Sequence, residues 1–278
     1  MRFFRLISLL GPSILAAWAQ PPATLQPGEV FTYSVGWGIF GGAGEIKIAA
    51  DQPPTQPDQL RIMTTTRTRG FAHTLYAFDA ASESIFDLKT GHLLRIAEKS
   101  ATESKQTETR LTFEYQARTF RYTDTLRPAR SLTLPLPAGE PLDLINCLLQ
   151  TRTWNLPLGE HRDVLAVFDD ELYELTVYAE SYEEITTPLG TFKTLVLVPK
   201  MEKGPLKGMF KRGSTVRVWI SQDERHLPVR FKVDFRFGAG TATLTDYQPP
   251  LAAATSTKKP AANRVGAGPQ PNGSNPHP

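Results

Sequence analysis

Between Glu29 and Tyr247 apolar and polar residues alternate in one short run after another, the period of strands with one covered face. Val30 to Trp37 puts Phe31, Tyr33, Val35 and Trp37 on one side, and Glu45 to Ala49 alternates again. Between them, Gly38-Ile39-Phe40-Gly41-Gly42-Ala43-Gly44 has the backbone freedom for a tight reversal, so the pair reads as a hairpin. Further strands or strand pairs are predicted over 60–68, 75–86, 93–99, 107–115, 119–123, 172–185, 190–199, 215–221, 227–237 and 240–247. Many short strands at even spacing favour an antiparallel sheet, barrel or sandwich. The expected class is mainly β: a large antiparallel curved sheet or open β-barrel.

One segment breaks the alternation. Glu140 to Trp154 has apolar residues at 142, 145, 148 and 149, flanked by Leu144 and Cys147, which is helical spacing. This predicts one packing helix over about 140–154. Pro141 suits its first turn and Asp143 complements the positive end of its dipole. A lone helix in a β domain packs against the sheet or plugs a half-closed barrel. Trp37, Leu142, Ile145, Leu149 and Trp219, on the helix and the sheet face, are then candidates for lining an apolar ligand site.

The ends of the chain read differently. Arg2 and Arg5, the apolar run from Leu6 to Leu15, and Ala17-Trp18-Ala19 form a secretory leader over 1–19 with a small-x-small cleavage site. Residues 20–28 are a short Pro-containing lead, 29–248 a single β domain, and 249–278 a tail too poor in large apolar residues to offset the cost of ordering it. An exported, periplasmic protein is expected. The formal charge of +3 comes from the leader and from Lys258, Lys259 and Arg264 in the tail, so the patterned region itself is slightly acidic. No concentrated basic face points to nucleic acid. No segment is long and apolar enough to span a bilayer, so an integral membrane protein is not expected.

Reactive chemistry is sparse. Cys147 is the single cysteine and lies in the apolar helix pattern, which reads as core. The five histidines are not paired at ligand spacing, so no metal or other cofactor is predicted. Asp169-Asp170-Glu171 reads as a hairpin turn, and Glu183-Glu184 point to opposite faces of one strand. The glycine-rich turn lacks the Lys-Ser/Thr ending of a phosphate loop, and no Gly-x-Ser-x-Gly elbow occurs. No catalytic residue is assigned. From Lys200 to Arg217 basic and apolar residues interleave, and Lys203, Lys207, Met209, Phe210, Lys211 and Arg212 are candidates for contact with an anionic membrane surface.

The order of segments resembles a bacterial family known as domain of unknown function 3108. Pro27-Gly28-Glu29 before Phe31-x-Tyr33-x-Val35-x-Trp37 opens the domain, and Thr66 to Tyr76 looks like its next strand pair. Leu142 to Arg152 looks like its helix, with Asp143 near the start and Arg152 near the end. Pro188-Leu189-Gly190-Thr191-Phe192-Lys193-Thr194 and Val218-Trp219-Ile220-Ser221-x-Asp223 with Leu227-Pro228-Val229 look like its closing strands. The resemblance implies an exported protein and carries no catalytic residues. A fainter similarity, in the Trp-Ile strand and the Leu-Pro-Val strand, is to envelope lipoprotein carriers of the LolA and LolB type; it implies a half-barrel with a helix over an apolar cavity. The expected function is non-enzymatic binding of a lipid-like or apolar ligand, or of another envelope protein. The alternatives are an enzyme acting on cell-wall or glycan material, with a site assembled only in the fold, and a structural adaptor without ligand.

Overall fold

The computed structural model describes residues 25–38, 40–206, 210, 214–235 and 238–250. The leader predicted over 1–19 and the tail beyond Pro250 lie outside the described residues.

Alternation produces strands here as the sequence predicts. β1 (Val30–Trp37), β2 (Phe40–Asp51), β3 (Gln59–Thr68), β4 (Phe78–Asp87), β5 (Leu93–Thr102), β6 (Gln106–Glu114), β7 (Thr119–Asp124) and β8 (Leu132–Pro135) form one antiparallel meander. β9 (Pro141–Asp143) lies parallel to β10 (His161–Phe168), which begins a second meander through β11 (Glu171–Thr187), β12 (Gly190–Lys200), β13 (Thr215–Ser221), β14 (Pro228–Phe235) and β15 (Gly238–Gln248). β1 pairs with β15, so the 15 strands of the described residues make one sheet with β8 and β9 as its edges.

Those edges are consecutive in the chain, joined by residues 136–140. Laid flat, a sheet this wide would hold them roughly 65 Å apart at about 4.8 Å per strand. Five residues and their flanking bonds reach only about 20 Å. The sheet must therefore curl nearly into a ring, yet β8 and β9 do not pair and the barrel stays open.

The ring is filled by α2 (Leu144–Gln150). Asp143 is its N-cap, accepting from Asn146 N at 2.9 Å. Pro141, expected in the first helical turn, instead pairs with Leu165 in β9, and the helix starts at Leu144 because Asp143 is extended. Cys147 and Leu149 join Phe31, Ile62, Leu111 and Tyr122 in the interior core. A second cluster on the opposite face of β11–β13 packs Val177, Leu195, Leu197, Val218 and Ile220 beneath Trp154. Burial on both faces explains why Leu195 to Pro199 are continuously buried.

Two local expectations change. The stretch from Thr66 to Tyr76 is not a strand pair: β3 stops at Thr68 and a short helix, α1 (Gly70–Leu75), follows, entered through Gly70 at φ +56°. The glycines at 41, 42 and 44 lie inside β2 rather than in the turn, which begins at Gly38 with φ +57°.

Candidate functional site

The inward face of β3–β7 is built in two layers. In β3, Leu60 and Ile62 point inward, then Thr64 and Thr66. Register carries each type sideways. Ile62 faces Ser84, then Ile96, Leu111 and Tyr122, whereas Thr64 faces Ser82, then Glu98, Thr109 and Asp124. One layer is mostly apolar and sealed by α2; the next consists of hydroxyls with the carboxyls of Glu98 and Asp124 among them. Ser84 marks the boundary, and its hydroxyl donates to Asp143 Oδ2 at 2.6 Å, pinning the start of α2 across the barrel.

Above that boundary lies a cavity of about 450 Å³, within the size range of small-ligand pockets. Its floor is the hydroxyl layer, including Thr64, Ser82, Glu98 and Thr109. Ile145 of α2 forms one wall, Phe168 and Asp169 of the β10–β11 hairpin another, and Arg127 and Arg130 stand at its edge. Burial pushes the Glu98 carboxyl up to about 7, and the charges of Asp143 and Asp169 add to the effect. The Tyr122 hydroxyl is also raised, first by burial and then by its hydrogen bond to Asp169. The cavity can thus offer a protonated or ionised carboxyl, several neutral hydroxyls and an apolar wall.

Other depressions are less suited to a ligand. One, of about 540 Å³, lies on the outer face of β3–β6, where Arg67 pairs with Asp79 at 3.6 Å and Lys99 with Glu108 at 3.1 Å. Another, of about 470 Å³, runs along the seam between Gly139 and β10–β11. Among the described residues no group of three His, Cys, Asp or Glu is placed to hold a metal ion. Cys147 is buried, and its thiol is pushed up by burial and by Asp143.

The residues singled out from sequence are distributed as follows. Ile145 lines the cavity, and Leu142 and Leu149 are packed in the core. Trp219 is buried with its Nε1 donating to Glu183 at 2.8 Å. Trp37 is 45% exposed at the end of β1, stacked on Phe235 with ring centres 5.7 Å apart. In the loop after β12, Phe210 turns inward against Tyr173, and Lys203 reaches Asp163 at 3.4 Å. Lys207, Met209, Lys211 and Arg212 lie outside the described residues. Glu98 and the hydroxyl layer were not singled out from sequence; their only trace is the change from Leu60 and Ile62 to Thr64 and Thr66 along β3. Among the described residues no helix is long and apolar enough to cross a membrane.

A comparison with curated proteins finds no match. Among solved structures, a β-barrel-like protein of the domain of unknown function DUF1849 from Brucella abortus is 10% identical, with 81% of this chain and 98% of that one covered at a TM-score of 0.52. A hypothetical protein from Chlamydia trachomatis is also 10% identical, covering 89% of this chain and 95% of that one, with a TM-score of 0.34. The former likeness is one of fold. The model of the family described as protein of unknown function (DUF3108) matches residues 32–245, most of the sheet, and the chain belongs to that family.

Proposed function

We propose that this is an exported envelope protein that binds a small amphiphilic ligand, without chemistry, in the cavity beside α2. The observation that carries the reading is the lining: hydroxyls and Glu98 on the floor, Ile145 and Phe168 on the walls, Arg127 and Arg130 at the edge. Such a lining suits a hydroxylated or anionic headgroup with an apolar part beside it. The leader motif at Arg2, Arg5 and Ala17-Trp18-Ala19 supports export. The helix occupies the apolar half of the barrel, so a ligand gains its apolar contacts from the walls rather than from a wholly greasy interior.

An enzymatic reading keeps one supporting observation. A carboxyl held near 7 is poised for general acid or base work on a glycan. It would require that Glu98→Gln abolish turnover of cell-wall fragments while leaving their binding intact.

The test of the binding reading is native mass spectrometry of protein purified from the envelope without detergent, followed by titration with a fluorescent fatty-acid probe. A co-purifying small molecule is expected, with probe binding weakened about tenfold by Ser82→Phe, which fills the floor. No bound molecule together with no probe binding would sink the proposal.

A further inference from the structure

The exposed apolar side chains are not spread evenly over the barrel. In an antiparallel sheet, alternate turns gather at one rim, and the register places them. Trp37 pairs with Gly240 and Phe40, Phe235 with Gly238, and Thr68, which leads into α1, with Gly44. Phe78 pairs with Thr102, and Asp124, which leads into the β7–β8 connection, with Thr109. These turns, the β10–β11 hairpin and the loop after β12 therefore share one rim. On it stand Trp37, Phe71, Tyr76, Leu126, Phe168 and Phe235, each more than a third exposed, and Phe71 is 68% exposed. Among the described residues the remaining exposed large apolar side chains outside the loop after β12, namely Met63, Leu158, Tyr182 and Leu189, are scattered elsewhere. The start of β1 and the end of β15 pair with each other, so the described chain ends lie at the opposite rim.

The same rim is the mouth of the cavity. Phe78, Lys105, Arg127, Arg130, Phe168 and Asp169 line the pocket and belong to these turns. Bases stand among the apolar residues along the β1–β8 arc: Arg67, Arg69, Lys105, Arg127 and Arg130, against Glu45, Asp79, Glu103 and the buried Asp124. Arg67, Arg69 and Arg127 pair with Asp79, Glu45 and Asp124, and Lys105 and Arg130 stand beside them at the cavity mouth. The acidic turn Asp169-Asp170-Glu171 lies on the other arc. Trp37 is held in place: a Cβ on Gly238 or Gly240 would lie 3.2 or 3.4 Å from its indole, and Phe235 stacks on it. Tyr76 likewise stacks on Phe78, with centroids 6.4 Å apart.

We infer that the β1–β8 arc of this rim docks on the surface of an anionic lipid bilayer, presenting the cavity mouth to the membrane. Aromatic residues settle at the headgroup level, and neighbouring bases pair with lipid phosphates. An exposed aromatic cluster ringing a polar cavity is otherwise an unfavourable surface for a protein in water. The inference rests on the binding reading above, since it supplies the source of the amphiphile.

Vesicles of phosphatidylethanolamine and phosphatidylglycerol provide the test. The full-length mature protein should float with them, and phosphatidylcholine vesicles should retain less. Trp154 and Trp219 are buried, so the exposed Trp37 reports. Its emission should shift blue and be quenched by brominated acyl chains. The Phe71→Ser, Tyr76→Ser double variant should weaken vesicle binding about tenfold. Tyr182→Ser, at a comparably exposed aromatic away from the rim, should leave it unchanged. Absence of flotation, absence of quenching, or an equal loss with Tyr182→Ser would overturn the inference. So would a dimer in lipid-free solution that the double variant disperses, because the rim would then be a protein interface. The fatty-acid probe assay contains no vesicles, so intact probe binding with lost vesicle binding would refute docking and leave the cavity reading standing.

Discussion

Arg152 donates to the carboxylate of Glu29 at 2.8 Å, tying the turn after α2 to the residue that leads into β1. Glu29 is buried, its side chain 3% exposed, and Arg152 is largely covered, at 13%. Tyr247 and the backbone N of Gln26 complete the coordination of Glu29, at 2.9 and 3.0 Å. Arg152 also reaches the carbonyls of Arg225 and His226 in the β13–β14 turn and lies over the ring of Phe31. Four separate parts of the chain meet at this pair, at the end of the barrel opposite the cavity mouth.

A buried charge stripped of its partner costs far more than the pair contributes, on the order of 3–5 kcal/mol. Arg152→Ala should therefore lower unfolding stability by about that amount, measured by urea titration. Glu29→Gln combined with Arg152→Met should recover a substantial part of the loss, because no uncompensated charge remains. If the single and double variants are equally destabilised, packing rather than charge holds this junction.

Asp143 is the corresponding anchor at the other end of α2. Its carboxylate accepts from Asn146 N, Asn146 Nδ2 and the Ser84 hydroxyl, all within buried surroundings. Asp143→Ala removes an N-cap worth about 1 kcal/mol and leaves a buried hydroxyl unpaired at a further cost of about 1–3 kcal/mol. Ser84→Ala removes one donor and leaves the cap, so a loss of only about 1 kcal/mol is expected. Denaturation of the two variants side by side checks the ordering; an equal loss would place the whole effect in the Ser84 contact.

Much of this fold is legible in the sequence, because alternation is local. The strands predicted over 60–68, 107–115, 119–123, 172–185, 190–199, 215–221, 227–237 and 240–247 fall within a residue or two of the observed bounds, and the single helical exception is the helix that fills the barrel. β4 starts and β5 ends three residues later than predicted, and β8, β9 and β10 lie outside the predicted strands. Its start was misplaced because Pro141 fits a first helical turn and an edge strand equally well. The motifs that resemble the family prove to be junctions: Glu29, Asp143, Arg152 and the Ser221-x-Asp223 turn are the points where helix and sheet are fastened. The hydroxyl layer was illegible for a different reason. Thr64, Ser82, Glu98 and Thr109 are unremarkable in their own strands and become a site only through register, a pairing between residues far apart in the chain. The aromatic rim is hidden likewise, since its members occupy separate turns.

The glycines of β2 separate two roles. A Cβ on Gly44 would lie 2.7 Å from the backbone oxygen of Arg67 in β3, and backbone cannot swing aside. Gly41 meets nothing within 4 Å. Gly44→Ala should cost about 1–3 kcal/mol through overpacking against the neighbouring strand. Gly41→Ala should be neutral or raise stability by about 0.4–1 kcal/mol, by reducing the freedom of the unfolded chain. Thermal unfolding of the two variants decides it, and a silent Gly44→Ala would mean that the β2–β3 pairing yields readily.

Glu98 adds its own contribution to the pH dependence of stability. Its carboxyl is raised to about 7 in the fold, chiefly by burial, from an ordinary value of 4.5. The folded state then holds this proton more tightly than the unfolded state, so the sign is fixed by linkage. Below about 4.5 both states are protonated and the group contributes no change. As pH rises from 4.5 through 7 the unfolded chain releases the proton first, and stability falls, by at most about 3 kcal/mol. Above 7 both states are ionised and the loss is complete. Glu98→Gln removes this dependence, so the variant should be more stable than the wild type at pH 8 and little different at pH 4.5. Urea titrations from pH 4.5 to 8.5 give the difference directly. Parallel profiles for the two proteins would mean that the carboxyl is well hydrated in the fold, and the cavity floor would then be far wetter than its burial implies.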